Sequence, residues 1–385
     1  MLATLGYYVH NLNPVIFHFG PVTPRWYGFA YLMGFLAAYL LIQKLSRDGM
    51  LRLSPERVPD MVLNGCIFGV LIGGRVGYIL FYDLPISLSE HRTPLLWSFT
   101  DSFPYWGLLR VNEGGMSAHG GIIFTIVTLI VFVWRTNKAN QAFHAPPGFP
   151  VTPDSPSTPA PRKLSIVNIG DAACMVVPIG LFFGRIANFI NGELYGHPST
   201  VAWAVKFPSE IYAPTNGEML PSVRAALPSV FQKFYGVVAD WANPDTFDQY
   251  YTTLCHQLQA RNPAAIQAVA EILPPRHPSQ LYEALLEGVL LFTICWTIGR
   301  LWRKDGMASG AFLTFYPVMR IIGEQFRVGD TPAHIFGMEI SKGVLYSLVM
   351  LIPALCYWIY WIKKDRRIPW VPVSEESVTP AANPG

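Results

Sequence analysis

Seven stretches of the chain are apolar with few interruptions, at about 25–43, 61–82, 117–134, 165–190, 279–299, 308–326 and 343–362. Each approaches the roughly 20 residues a helix needs to cross a hydrocarbon core. The pattern predicts an all-α integral membrane protein with seven transmembrane helices. Polar residues between the stretches set their direction. Lys44, Arg47, Arg52 and Arg57 follow the first stretch, and Arg135, Lys138, Arg162 and Lys163 separate the third from the fourth. Arg300, Arg303 and Lys304 separate the fifth from the sixth, and Lys363, Lys364, Arg366 and Arg367 follow the seventh. These clusters alternate with basic-poor loops, and short cytoplasmic loops are the ones that collect Lys and Arg. The N-terminus is therefore expected outside and the C-terminus in the cytoplasm.

This divides the chain into an external interfacial segment (1–24), helices 1–3 (25–136) and a Pro-rich cytoplasmic linker (137–164). Helix 4 (165–190), a small external head subdomain (191–278), helices 5–7 (279–362) and a cytoplasmic tail (363–385) complete it. The run NPVIFHFGPVTPRWYG places β-type residues around a Gly-Pro turn, so an interfacial hairpin is expected before the first helix. The linker, with APPGFPVTPDSPSTPAP at its centre, cannot bury a core and reads as a spacer.

Composition narrows the function. Of 385 residues, 51% are hydrophobic and 14% charged, which excludes an ordinary soluble enzyme. The expected solvent is a lipid bilayer, with 24 Phe, 18 Tyr and 11 Trp to serve its two interfaces. A net charge of +3 is too small to indicate a nucleic acid partner. Cys66, Cys174, Cys255, Cys295 and Cys356 are too scattered for a zinc spacing or a disulfide scaffold, so no metal is expected. The first 24 residues lack Lys and Arg, so a cleaved signal peptide is not expected. No internal repeat is visible, which weighs against repeat-built transporters.

Ionisable residues inside spans are costly, so each raises a functional question. Arg75 lies in LIGGRVGYILFY, Asp171 and Arg185 in span four, Glu283 and Glu287 in span five, and Arg320 and Glu324 at the end of span six. Alternating directions bring all but Asp171 to one layer at the outer boundary, together with Tyr27, His119, His277 and Gln280. Gln280, Glu283 and Glu287 share a helix face, as do Tyr316, Arg320 and Glu324, while Arg185 and Asn188 are three residues apart. Two readings stand: buried ion pairs that fix helix register, or an arginine fork for a phosphate, for which a phospholipid headgroup is the natural source at this depth. His119, within GGMSAHGG, is either a structural helix start or a titrating group beside a closely approached ligand. GRIANFINGELYG adds Asn188, Asn191, Gly192, Glu193 and Gly196 at a span exit. GxSxG and HExxH are absent, which disfavours serine hydrolases and zinc proteases.

Taken together, PRWYGFAYLMGF, GGRVGYILFY, GGMSAHGG, GRIANFINGELYG, RHPSQLYEALLEG and FLTFYPVMRIIGEQFR resemble the prolipoprotein diacylglyceryl transferases of bacterial inner membranes. The resemblance touches the first six spans. It implies transfer of the diacylglyceryl group of phosphatidylglycerol to the lipobox cysteine of a preprolipoprotein signal peptide, with release of glycerol 1-phosphate and without a cofactor. Carried over by motif, Tyr27, His119, Arg185, Asn188, Glu193, Gly196, Tyr316, Arg320 and Glu324 correspond to functional positions. Arg185 and Arg320 would stabilise the leaving phosphate and His119 would take the thiol proton, with Arg75, Gln280 and Glu283 in supporting contact with substrate. A transporter would need the polar layer to continue inward, and a lipid-binding scaffold would need the arginines but not His119.

Overall fold

The computed structural model describes residues 6–19, 23–101, 105–110, 115–139, 163–212, 221–235, 244–328, 333–335 and 338–363. Most of the predicted Pro-rich linker and all but the first residue of the predicted tail lie outside the described residues. The long helices are α1 (Trp26–Arg47), α2 (Pro55–Ser89), α3 (Ala118–Lys138) and α4 (Ile166–Asn191). Three shorter helices follow, α5 (Pro221–Tyr235), α6 (Pro244–Gln259) and α7 (Pro263–Ile272). The chain then returns to long helices with α8 (Ser279–Trp302), α9 (Met307–Glu324) and α10 (Lys342–Lys363).

Six of these, α1, α2, α3, α4, α8 and α10, are long and apolar enough to cross a membrane. That differs from the seven expected. The stretch predicted at 308–326 is α9, whose 18 residues are interrupted by Tyr316, Pro317, Arg320 and Glu324. The second span is also longer than its apolar run, extending over 35 residues. Exposed Ile122, Ile126, Ile130 and Trp134 on α3, and Val349, Ile352, Leu355 and Ile359 on α10, leave apolar surface that requires a lipid solvent. The protein is a multi-pass membrane protein. Lys44 and Arg47, Arg135 and Lys138, Arg300, and Lys363 occupy the last turns of α1, α3, α8 and α10, where they also oppose the helix dipole.

The chain forms two compact units. The first comprises Met1–Gly34, Cys174–Leu301 and Met307–Asp365; the second comprises Phe35–Ala173, Trp302–Gly306 and Arg366–Gly385. In the second unit, Gly69, Gly73 and Gly77 form a stripe on α2 at four-residue steps, and a Cβ at any of them would run into Thr125, Phe124 or Gly120 of α3. Bare glycine backbone is what lets two membrane helices approach this closely. Asn137 closes the neck of the Pro-rich insert, donating to Leu164 O at 2.9 Å and accepting from Leu164 N at 2.8 Å. An insertion that leaves and returns at one point costs the surrounding packing little. Asp171, predicted on the cytoplasmic side, accepts from Gly306 N at 2.5 Å.

In the first unit, Val15 pairs antiparallel with Arg25 ahead of α1, while the Gly-Pro turn of the expected hairpin lies outside the described residues. Strand β1 (Tyr8–Val9) pairs in parallel with β2 (Val205–Lys206). Val9 of the N-terminal segment packs with Ile211, Phe231, Leu254, Leu258 and Val269 of the 191–278 stretch in one buried hydrophobic cluster. The short strands β3 (Ala333–Ile335) and β4 (Met338–Ile340) pair antiparallel and lead into α10.

Candidate functional site

Within the first unit the beginnings of α1, α8 and α10 meet the ends of α4 and α9, as alternating helix directions require. Pro278 precedes α8, and the face that this helix buries carries Ser279, Gln280, Glu283, Ala284, Glu287 and Gly288. Small residues on that face admit neighbouring helices, and the two carboxylates arrive with no exposed side-chain surface at all.

Those carboxylates are met by arginines from two directions. Arg185 of α4 reaches Glu283 Oε2 at 3.0 Å and Glu287 Oε2 at 2.9 Å. Arg320 of α9 reaches Glu283 Oε1 at 3.0 Å, Glu287 Oε1 at 3.4 Å and Glu324 Oε2 at 2.9 Å. Arg327, just beyond α9, lies 3.6 Å from Glu283 Oε1. Three guanidinium groups and three carboxylates thus cancel formally, which keeps a charge cluster tolerable between membrane helices. Its members are not equally enclosed. The side chains of Glu283 and Glu287 are sealed, whereas those of Arg185 and Arg320 are 15% and 14% exposed. The ion pairs engage Arg185 through Nε, Nη1 and Nη2 and Arg320 through Nη1 and Nη2, so the glutamates fix both guanidinium planes, and each guanidinium has five N–H donors against two carboxylate partners for Arg185 and three for Arg320. The Arg327 Nε is buried without a hydrogen-bond partner among the described residues.

A second polar chain borders this cluster. Asn188 Nδ2 donates to Glu193 Oε1 at 2.7 Å and lies 3.4 Å from the Tyr27 hydroxyl. Gln280 Nε2 donates to Glu193 O at 2.6 Å, so α1, the exit of α4 and the start of α8 are tied by one path of hydrogen bonds. Tyr316 stacks on Phe312 one turn before Arg320, with ring centroids 5.4 Å apart. Gly196 contributes through its backbone and through the space that a missing side chain leaves. Its N–H donates to His277 O at 2.9 Å, it bridges to Arg327, and a Cβ would collide with the Phe326 and His277 backbone. Arg276 stacks 5.0 Å from the Tyr195 ring and donates to Glu210 Oε2 at 2.7 Å and Gly196 O at 3.2 Å, fixing this turn from the head side.

Two imidazoles flank the turn. Burial pushes the His10 imidazole down to about 4, against the opposing effect of the Phe189 backbone, so it stays neutral between Phe189 and Phe207. Burial first, and the charge of His197 second, hold His277 below the usual imidazole value. Neither brings positive charge to the turn near neutral pH.

Arg75 and His119 belong to the second unit. Arg75 donates to the carbonyls of Leu108 at 3.0 Å, Gly115 at 3.0 Å and Gly107 at 2.7 Å, which anchors the segment leading to α3. His119 is the second residue of α3, exposed, in a first turn capped by Ser117, which accepts from Gly120 N at 3.2 Å.

Sequence reasoning placed Arg185, Glu283, Arg320 and Glu324 together but passed over Arg327 as a site residue. Its signal was present, because Arg320, Glu324 and Arg327 fall at i, i+4 and i+7. Arg276 and Glu210 had no such signal, being 66 residues apart.

The prolipoprotein diacylglyceryl transferase family matches residues 14–145 and 158–360. The unmatched interval between them falls in the Pro-rich insert. Curated relatives called phosphatidylglycerol–prolipoprotein diacylglyceryl transferase include one from Bdellovibrio bacteriovorus, 34% identical over 92% of this chain and 94% of its own length. Another from Azospirillum brasilense is 32% identical over 93% and 96%, and one from Yersinia enterocolitica is 34% identical over 91% and 93%.

Proposed function

Because this chain belongs to the prolipoprotein diacylglyceryl transferase family, we propose that its arginine–glutamate cluster is where it carries out that family's reaction. The protein is a membrane transferase of lipoprotein biosynthesis. It moves the diacylglyceryl group of phosphatidylglycerol onto the cysteine thiol of a prolipoprotein. The cysteine sulfur bonds to C3 of the diacylglyceryl group as the C3–O bond breaks, and the electron pair leaves on the phosphate oxygen of glycerol 1-phosphate. The phosphate gains negative charge as it leaves, so a preorganised cationic fork stabilises the transition state more than the bound lipid. Arg185 and Arg320 supply that fork, with Arg327 beside it. Tyr27, Asn188, Glu193 and Tyr316 orient the headgroup, and Gln280 and Gly196 hold the turn that carries Glu193.

The supporting observation is the unequal enclosure of the cluster. Arg185 and Arg320 keep 15% and 14% of their side-chain surface exposed over glutamates that keep none, so the arginines are the members of the cluster most open to a ligand. The test is direct. Purified protein with phosphatidylglycerol and a lipobox peptide should add a diacylglyceryl mass to the peptide cysteine and release glycerol 1-phosphate. A peptide that keeps its mass under those conditions would refute the reading.

The same reading sets the topology. α8 and α10 begin at the cluster and α9 ends there, so α9 serves as the seventh crossing. With seven spans the basic helix ends face the cytoplasm of the bacterial inner membrane, and the cluster and the 191–278 head face outward. In a cysteine-free background, a membrane-impermeant thiol reagent should label Gln267→Cys but not Pro150→Cys in intact spheroplasts. The opposite pattern overturns the orientation.

Thiolate, not thiol, is the nucleophile, and the resemblance carried by the GGMSAHGG motif puts His119 forward to take its proton. His119→Gln keeps hydrogen bonding but cannot titrate. Its rate at pH 7 should fall by about 10²–10⁴-fold, the usual contribution of a general base. Raising the pH towards the free cysteine value of about 8.5 should restore part of the loss. A pH–rate profile parallel to the parent would remove His119 from the chemistry.

A further inference from the structure

Glu324 is the outermost carboxylate of the cluster, and its two oxygens are divided between different partners. Oε2 meets Arg320 at 2.9 Å. Oε1 accepts from the Ser341 hydroxyl at 3.1 Å. Ser341 stands immediately before α10, and its Oγ also accepts from Val344 N at 3.2 Å. That second contact fixes the direction of the first: with a lone pair engaged by the helix N–H, the single hydroxyl hydrogen is left for the carboxylate. Gly343, the second residue of α10, makes the room. A Cβ there would stand 2.8 Å from Glu324 Oε2 and 2.9 Å from both Cδ and Oε1, closer than side chains pack.

We propose that Ser341 is a positioning residue for diacylglyceryl transfer, holding one oxygen of Glu324 at the N-terminus of α10 so that Glu324 cannot close on Arg320 with both. This rests on the reading that Arg320 receives the phosphate. An Arg–carboxylate pair prefers the two-point fork, and an unrestrained Glu324 would take it, occupying donors on the edge that must meet the substrate. The Ser341 hydroxyl gives the second oxygen of Glu324 another partner, so Glu324 holds Arg320 through one oxygen alone and the remaining donors of Arg320 are left to Glu283, Glu287 and the substrate. The effect is on transition-state stabilisation, so it belongs in kcat more than in KM for the lipid.

The test uses three substitutions in the full-length protein, with turnover, KM for phosphatidylglycerol and thermal stability measured for each. Ser341→Thr keeps both the cap and the donor and should match the parent. Ser341→Gly puts a residue tolerated at an N-cap before α10 and removes the hydroxyl without adding charge, so the helix start survives while nothing holds Glu324. It should stay near the parental stability and lose about tenfold or more in kcat, the size of a misplaced catalytic contact. Ser341→Ala should show a similar kcat loss, and any instability in that variant is separated by the other two. Parental kcat in Ser341→Gly means that the Ser341 hydroxyl does not position Glu324 and overturns the inference, as does parental kcat in Ser341→Ala. Arg320→Lys run in parallel distinguishes the two levels. Loss in Arg320→Lys with none in the Ser341 variants rejects the Ser341 role alone, whereas a parental rate in Arg320→Lys rejects the phosphate reading beneath it.

Discussion

Arg320→Lys is expected to lower diacylglyceryl transfer by about 100-fold or more, the scale seen when one preorganised donor to a developing anion is lost, while the protein still inserts and folds. The substitution preserves the charge, so Glu283, Glu287 and Glu324 keep a cation among them and no carboxylate is left uncompensated. Geometry is what disappears. The planar guanidinium reaches carboxylates on α8 at 3.0 and 3.4 Å and on its own helix at 2.9 Å at the same time, with five N–H donors to divide among them and a phosphate. An ammonium is a point donor on a flexible stem and cannot do both. Peptide mass gain reads the activity, and a monodisperse detergent profile with parental thermal stability shows that the fold survives. Near-parental transfer would make Arg320 a counter-charge and return the cluster to the role of fixing helix register.

The largest effect on stability is expected from Glu283→Ala. Glu283 is the only carboxylate in the cluster contacted by all three arginines, with Arg185 and Arg320 at 3.0 Å and Arg327 at 3.6 Å, and its side chain has no exposed surface. Truncating it leaves three guanidinium groups over two carboxylates in a largely enclosed site. Breaking a buried pair by removing one partner typically costs about 3–5 kcal/mol, because the remaining charge is left uncompensated. The variant should lose most of its half-life in detergent and all measurable transfer. Thermal inactivation at several temperatures would check this, and an unchanged half-life would mean that water or lipid phosphate reaches the three arginines freely. The contrast between the two variants is itself informative: the arginine substitution should separate activity from stability, and the glutamate substitution should not.

Much of this was legible along the chain because a membrane imposes a simple code. Hydrocarbon requires long apolar helices, and the charge bias of short loops gives them direction, so element positions and their alternation follow from a pattern readable in windows of about 20 residues. Arg185, Glu283, Arg320 and Glu324 stood out for the same reason, since a charge inside such a window is conspicuous. α9 departs from the expectation of a seventh apolar span: Arg320 meets Glu283 and Glu287 of α8 and Glu324 meets Ser341 before α10, and such polar residues leave α9 less apolar than the six long helices.

By itself the sequence determined the solvent of this protein, the order of its long apolar helices, the family it resembles and most of the charged groups in its cluster. Each of these depends on residue type and on spacing within one helix. Only the tertiary structure decided that Arg327 completes the cluster, that Arg75 is taken up by the carbonyls of Gly107, Leu108 and Gly115, and that Ser341 divides the oxygens of Glu324 with the guanidinium of Arg320. Those outcomes join residues 17 to 44 positions apart, or place one of two similar arginines in an ion pair and the other on backbone. Local spacing carries no information about which of several available partners a buried guanidinium will meet, because that choice is made by packing around it.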